Sequence, residues 1–375
     1  MKILFFTQRY PGKHNTSDYV FVKQLVDAIA DFGHECHVIA PYNIFHYRSF
    51  INNHDNYKVG HGCVYVYRPY YLSFSDYKIF RCIVSLSKRH AIRRAQAKLP
   101  NDIDVVYGHF WKSAYEGYKY AHTHNLPLFV ATGESNISDF FSLKPDRSEF
   151  CNYVRGVICV SSKNRDESIS LGLTVLDKCV VCPNAVNENL FCRLQRSDCR
   201  KILNIPESAF VLIFVGWFID RKGVLRVSDA INRIKGEKVY SLFVGKGPQK
   251  PNCDGILFQG SVSHDELPVY LNAADVFVLP TKHEGCCNAI VEAVACGLPV
   301  ISSNYSFNWD ILDNTNSILI NPDDINELSL AITTLRDDLN LRERLANGSL
   351  KKASIMTIQR RAESIIRFIQ NKMYE

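Results

Sequence analysis

The chain has 375 residues, 46% hydrophobic and 22% charged, the balance of a soluble globular protein long enough for two cores. A formal charge of +6, diluted by 38 acidic residues, is too weak for nucleic-acid binding. No run of about 18 uncharged apolar residues is present to cross a membrane.

The charge is uneven. Residues 1–175 hold 21 basic against 15 acidic side chains and ten of the twelve histidines, so the two halves face different partners. The thirteen cysteines are scattered, and the opening MKILFF reads as a strand rather than a leader; both suit a reducing cytoplasm.

In chain order, apolar runs predict strands at Ile3–Thr7, Glu35–Ala40, Val64–Arg68, Asp104–His109, Pro127–Thr132, Val157–Ser161 and Cys179–Pro183. In the first loop Thr16, Ser17 and Asp18 stand where they can cap the following helix. Residues 78–98 predict a basic amphipathic helix. Ile79, Phe80, Ile83, Val84 and Leu86 supply its apolar part, and Lys88, Arg89, Arg93, Arg94 and Lys98 its cationic end. Such a helix suits an anionic lipid surface, or equally a solvated face packed on a sheet.

A second series of strands follows at Phe210–Gly216, Tyr240–Gly245, Ile256–Gly260, Val276–Pro280, Pro299–Ser303 and Ser317–Ile320. Continuous apolar strands separated by helices indicate parallel sheets built from βαβ units. The segment CPNAVNENLF, residues 182–191, marks the division between two doubly wound halves. Sheets of this kind bind ligands at their strand C-termini. The final helix carries Ile358, Ile365, Ile366 and Ile369 on one side.

The densest chemistry lies in HEGCCNAIVEAVACGLPV, residues 283–300. The loop after strand Val276–Pro280 holds Glu284, and a helix is predicted from Asn288 to Ala295. Gly285, Cys286, Cys287 and Asn288 then offer backbone N–H groups at a helix start, a ready anion site. Glu292, one turn in, can point back over it. The plainer reading is an acid that stabilises the helix dipole. Zinc is a poorer fit, because adjacent Cys286 and Cys287 lack the usual spacer. Cys151, Cys159, Cys179 and Cys182 read as small apolar fillers.

GCCNAIVEAVACGLPVIS resembles the signature of the family 4 retaining glycosyltransferases, which have the GT-B fold. PNAVNENLF, FVGWFIDRKG, LFVGKGP and LFQGSV resemble further family segments in the right order, with DVVYGHFW and GHECHVIAP at the front. The resemblance implies an α/β protein of two Rossmann-like, doubly wound parallel-sheet domains facing a central cleft. Residues 1–186 would bind the acceptor and 187–355 the nucleotide-sugar, with a helix in 356–375 packing back on the first domain.

Carried over residue by residue, Glu284 would bind donor-sugar hydroxyls and Glu292 the nucleotide's ribose. Gly285 to Asn288 would hold phosphate and sugar oxygens, and Lys222 would neutralise the diphosphate leaving group. Gly216 and Arg221 join this donor set, and Gly245 and Gly247 shape a turn near the base. The chain departs from the family pattern at three places. Trp217 stands where an arginine is common, the first loop lacks the frequent Gly-Gly, and ATGESN puts Gly133 and Glu134 where a histidine often follows the strand. His109, ending a strand, matches a frequent family histidine. His109 and Glu134 are therefore the candidate catalytic groups of the first domain, beside Glu284 and Lys222 of the second.

The resemblance implies a retaining glycosyltransferase moving a sugar from a UDP- or GDP-linked donor to a hydroxyl acceptor, in cell-surface polysaccharide or glycolipid assembly. No cofactor and no essential metal are expected. The acceptor would be lipid-linked or an oligosaccharide. Lys88, Arg89, Arg93 and Arg94 would meet an anionic membrane, with the enzyme cytoplasmic and peripheral at the inner face of the cell membrane. A non-catalytic sugar-nucleotide-binding scaffold and a GT-B sugar-nucleotide epimerase are the alternatives.

Overall fold

The computed structural model describes residues 1–12, 19–45, 54–73, 81–138, 147–236 and 238–373. The chain divides into two units. Unit 1 is Met1–Val160, Asn164–Cys182 and Arg361–Glu375, and unit 2 is Ser161–Lys163 and Pro183–Arg360. The division lies at Cys182–Pro183, where the sequence reading places it after residue 186.

Unit 1 contains β1 (Lys2–Phe6), β2 (Glu35–Ile39), β3 (Tyr42–Asn43), β4 (His54–Val59), β5 (Gly62–Tyr67), β6 (Tyr70–Tyr71), β7 (Val105–His109), β8 (Leu128–Thr132), β9 (Val154–Cys159) and β10 (Cys179–Val181). The main sheet has the order β10-β9-β8-β7-β1-β2-β5-β4. Its pairs are parallel except β4 with β5, and β3 and β6 form a two-stranded sheet of their own. From β1 the chain builds outward through β2 and β5, then returns to β7 and builds the other way. The strand order therefore reverses between β1 and β7.

The helices of unit 1 include α1 (Val20–Asp31), α2 (Arg81–Gln96) and α3 (Trp111–Thr123). Residues 13–18 lie outside the described residues, so the caps expected from Thr16, Ser17 and Asp18 do too. Tyr19, in the left-handed region at φ 57°, occupies the cap position of α1. Residues 78–80 are likewise outside the description. Helix α2 buries Ala91, Ile92 and Ala95, whereas Ile83 and Leu86, expected on its apolar part, are exposed.

Unit 2 contains β11 (Phe210–Val215), β12 (Val239–Val244), β13 (Ile256–Gly260), β14 (Val276–Leu279), β15 (Val300–Ser303) and β16 (Ser317–Ile320). Their order, β13-β12-β11-β14-β15-β16, is that of a dinucleotide-binding sheet, every pair parallel. FVLIFV of β11 and VFVL of β14 lie at its centre and read as unbroken apolar runs because helices cover both faces. Helices α4 (Val224–Arg233), α5 (Leu267–Ala273) and α6 (Asn288–Ala295) follow β11, β13 and β14. The helix expected over Asn288–Ala295 forms with those bounds.

Helix α7 (Ile358–Met373) buries Ile358, Ala362, Ile365, Ile366 and Ile369. Its Phe368 packs on unit 1, with its ring 6.1 Å from Phe129. A Cβ on Gly156 would come within 2.8 Å of that ring, so glycine makes room for the helix.

Candidate active site

In unit 2 the strand order reverses between β11 and β14, and ligands of such sheets bind beyond the strand C-termini at that point. The two loops leaving those strands carry Lys222 and Glu284. Their backbones are tied together where Lys282 N–H donates to Arg221 C=O at 2.9 Å. Arg226 on α4 donates to Asp220 Oδ1 at 2.8 Å and to Pro280 C=O at 2.9 Å, fixing both loops. Gly223 begins α4 at φ 83°, and a Cβ there would lie 2.7 Å from Pro280 C=O. Only glycine lets the loops approach this closely.

Glu284 is buried, and its Oε1 is the centre of the cluster. Lys222 Nζ lies 2.6 Å from it, Arg221 Nη1 2.9 Å and Thr281 Oγ1 2.8 Å. Arg221 also donates to the carbonyl of His283. Oε2 has no hydrogen-bond partner among the described residues, yet it is not a buried orphan atom. Burial works against a charge on Lys222, but Cys287 and Glu284 outweigh it and raise its pKa. A buried ion pair adds little net stability, since desolvation offsets the attraction. Its effect here is to fix a carboxylate with one open oxygen and a cation with protons to spare.

Cys287 is the cap residue of α6 and has no side-chain oxygen to offer its first N–H groups; its Sγ lies 3.7 Å from Lys222 Nζ. Asn184, from the segment linking the two sheets, donates to Cys286 C=O at 3.1 Å and to Asn288 Oδ1 at 2.7 Å, holding the turn of Gly285 to Asn288 in place. Glu292 is buried one turn along α6, and its Oε1 accepts from His264 Nε2 at 3.1 Å. Gly245 passes so close to the first loop that a Cβ would lie 1.9 Å from Gly216 C=O; for Gly247 the corresponding distance is 2.5 Å, to Phe218 C=O. These glycines let the two loops pack closely. Trp217 is 57% exposed, and Lys246 Nζ lies 5.8 Å from its ring centre, a cation–π contact. Among the described residues no group of three His, Cys, Asp or Glu side chains is placed to hold a metal ion.

In unit 1, His109 ends β7 and is buried among aromatic rings, 5.4 Å from Phe21 and 4.6 Å from Phe110. Burial, with the nearby Arg361 charge, lowers its pKa to about 3, so its imidazole is neutral. Its Nδ1 has no hydrogen-bond partner among the described residues. Phe110 has φ 74° and ψ 152°, a conformation almost confined to glycine. Glu134 holds that turn. Its Oε1 accepts from Trp111 N–H at 2.7 Å, and its Oε2 from Thr132 Oγ1 at 2.7 Å and Gly133 N–H at 2.9 Å. Burial pushes its carboxyl upward against those hydrogen bonds. Both oxygens are thus engaged within unit 1, at the ends of β7 and β8.

The structure brings Arg221, Lys222, Glu284 and Cys287 together, and places Glu292 on the same helix. Three contributors were not singled out from the sequence: Thr281, His264 and Asn184. Thr281 and Glu284 stand three residues apart in the chain, near enough for the hydroxyl to reach the carboxylate. His264 and Asn184 carry no local signal, because their partners are distant in the chain.

Comparison with known proteins gives the class, a glycosyltransferase of the GT-B fold. Residues 20–190 match the family described as Glycosyltransferase Family 4, and residues 209–338 the one described as Glycosyl transferases group 1. The chain is 25% identical over 356 residues to TuaC of Bacillus subtilis (strain 168), covering 89% of this chain and 88% of that one. TuaC is named, provisionally, as a glycosyltransferase of teichuronic acid biosynthesis. Over 219 residues, 51% of its length and 56% of the other's, this chain is 29% identical to an Escherichia coli enzyme, UDP-Gal:alpha-D-GlcNAc-diphosphoundecaprenol alpha-1,3-galactosyltransferase.

Solved structures share the fold. Sucrose-phosphate synthase from Thermosynechococcus elongatus matches with TM-score 0.78 at 18% identity, over 99% of this chain and 98% of that one. Anabaena HepE, in complex with UDP-glucose, matches with TM-score 0.73 at 18% identity, over 99% and 100%. The chain belongs to the group 1, family 4 glycosyltransferases.

Proposed function

We propose that the protein transfers a sugar from a nucleotide diphosphate donor to a hydroxyl acceptor with retention at the anomeric carbon, in assembling a cell-surface polysaccharide or glycolipid. The observation that carries this reading is Glu284, with one oxygen held by Lys222, Arg221 and Thr281 and the other open, beside the start of α6. On this reading Glu284 Oε2 accepts from donor-sugar hydroxyls. Lys222, Arg221 and the N–H groups of the Gly285–Asn288 turn meet the diphosphate. Glu292 takes the ribose.

Breaking the bond between C1 of the sugar and the phosphate oxygen puts charge on that oxygen. A cation already in place favours the transition state over the ground state. The acceptor oxygen bonds to C1 as the diphosphate leaves, and its proton passes to the diphosphate. When both events occur on one face of the sugar, configuration is kept without a covalent nucleophile. Because the chain's own cations serve the diphosphate, turnover is expected to survive EDTA; its loss, restored by a divalent cation, would assign that work to a metal.

A UDP- or GDP-sugar is the donor we favour, supported by the UDP-glucose complex of HepE and the UDP-Gal in the name of the Escherichia coli relative. That name also specifies a diphosphoundecaprenol-linked acceptor, which supports a lipid-linked acceptor received by unit 1. Helix α2 suits an anionic membrane surface. Ile83 is 51% and Leu86 63% exposed, and beyond them a groove of about 310 Å3 is lined by Lys88, Arg89, Arg93 and Lys119. Each basic residue near such a surface contributes about 1 kcal/mol. Flotation with phosphatidylglycerol vesicles checks this: binding unaffected by charge reversal at Arg89, Arg93 and Arg94 would remove it. No described helix is long and apolar enough to cross a membrane.

The decisive experiment is nucleotide release from mixed nucleotide sugars, with and without a cell-lipid extract. Release that needs the extract supports transfer. Isomerised donor without acceptor would favour an epimerase, and binding without turnover a scaffold.

A further inference from the structure

Glu284 and Glu292 share a pattern in which one oxygen is held and the other is not. For Glu284 the holding groups come from its own loop and the facing one. For Glu292 the single holder among the described residues is His264, 28 positions away, whose Nε2 lies 3.1 Å from Oε1. Glu292 Oε2 has no partner among the described residues and is not a buried orphan. In Glu134, by contrast, both oxygens are satisfied.

His264 is itself fixed from three directions. Its backbone lies inside a capping box at the start of α5, where Glu266 Oε2 accepts from Ser263 N–H at 3.0 Å and from Ser263 Oγ at 2.7 Å. The ring of Phe191 meets its ring edge-on at 4.9 Å. Glu292 closes the third side. Burial works against a charge on His264, but the hydrogen bond and charge of Glu292, with Asp265 adding, outweigh it and raise its pKa. A glutamate free to rotate loses rotamer entropy when it meets a ligand, whereas one already held loses little.

We propose that His264 is a positioning residue for nucleoside recognition, holding Glu292 Oε1 so that Oε2 alone meets the ribose hydroxyls. This rests on the reading of Glu292 as the ribose acceptor. Preference for ribose over deoxyribose is then a property of the pair, and it weakens when the tether is cut even though His264 touches no nucleotide.

The test is calorimetric binding of UDP and GDP to the full chain, followed by the 2′- and 3′-deoxy forms of whichever binds more tightly. Wild type is expected to lose about tenfold in affinity for each missing hydroxyl. His264→Ala should bind the ribonucleotide about tenfold more weakly and show a deoxy penalty of only about twofold. His264→Gln, whose amide can donate from a similar position, should recover most of both. In the Glu292→Gln background, His264→Ala should change little.

If wild type discriminates and His264→Ala discriminates as strongly, the positioning role is overturned while Glu292 keeps its own. If wild type does not discriminate, or binds neither nucleotide, the ribose reading of Glu292 fails and takes this inference with it. Should His264→Ala not fold, the His264 ring titration in wild type decides. UDP should shift its midpoint and 2′,3′-dideoxy-UDP should not; equal shifts overturn the proposal.

Discussion

Each unit carries a threonine at the end of a parallel strand that donates to a nearby glutamate, at 2.7 Å from Thr132 to Glu134 and 2.8 Å from Thr281 to Glu284. The resemblance ends there. Glu134 takes two further hydrogen bonds from backbone N–H groups and has no oxygen left over. Glu284 gathers two cations on the same oxygen as the threonine and leaves the other open. The first arrangement spends a carboxylate on holding a strained turn at Phe110. The second prepares one for a ligand. Each carboxylate accepts three hydrogen bonds, so what separates the two is their distribution: over both oxygens in Glu134, on one alone in Glu284.

The largest effect should come from Lys222→Ala, which removes the cation facing the departing charge. It is expected to lower kcat by about 100- to 1,000-fold, and melting temperature should fall too, because Glu284 stays buried with one cation fewer; lost stability with kcat of the folded enzyme unchanged would make the pair structural instead. Next, Glu134→Gln should cost about 1–3 kcal/mol of stability by urea denaturation while kcat of the folded enzyme hardly changes. Lost turnover at full stability would move Glu134 to the chemical side and break the contrast.

A smaller effect follows from His109. Its folded pKa of about 3 lies below the unfolded value, so the unfolded chain binds the extra proton first. Stability should hold above the unfolded pKa of about 6.5 and fall by about 1.5 kcal/mol on going down to pH 5. His34 and His37 are also lowered by burial, so the difference in slope between wild type and His109→Gln isolates its share. His264, with its pKa raised, contributes stability that is complete below the unfolded pKa and lost only above its own, and so stays flat in this window. The finest comparison sets the two threonines side by side. Thr281→Val should reduce kcat about five- to tenfold, and Thr132→Val should cost about 1 kcal/mol of stability without touching turnover.

Much of this was legible before any coordinates. Thirteen strands stand where apolar runs predict them, within a few residues, because strands covered on both faces show no polar interruption. The strands not foreseen are β3, β4 and β6. HDNYKV of β4 is polar and pairs antiparallel at the sheet edge, and the other two are two residues long. Glu284, Glu292 and Lys222 were visible through spacing and resemblance. Invisible were His264 and Asn184, whose meaning is entirely tertiary. Glu134 was visible as an acid at a strand end, but no sequence shows that both its oxygens are occupied.

From Arg361 onward helix α7 belongs to unit 1, although the chain reaches that stretch only after completing unit 2. A ribosome therefore delivers the sheet of unit 1 long before Phe368 arrives to cover Phe129 and Gly156. Until then Phe129 and Gly156 lack that neighbour, so the order of synthesis makes the earliest part of the protein the last to be finished.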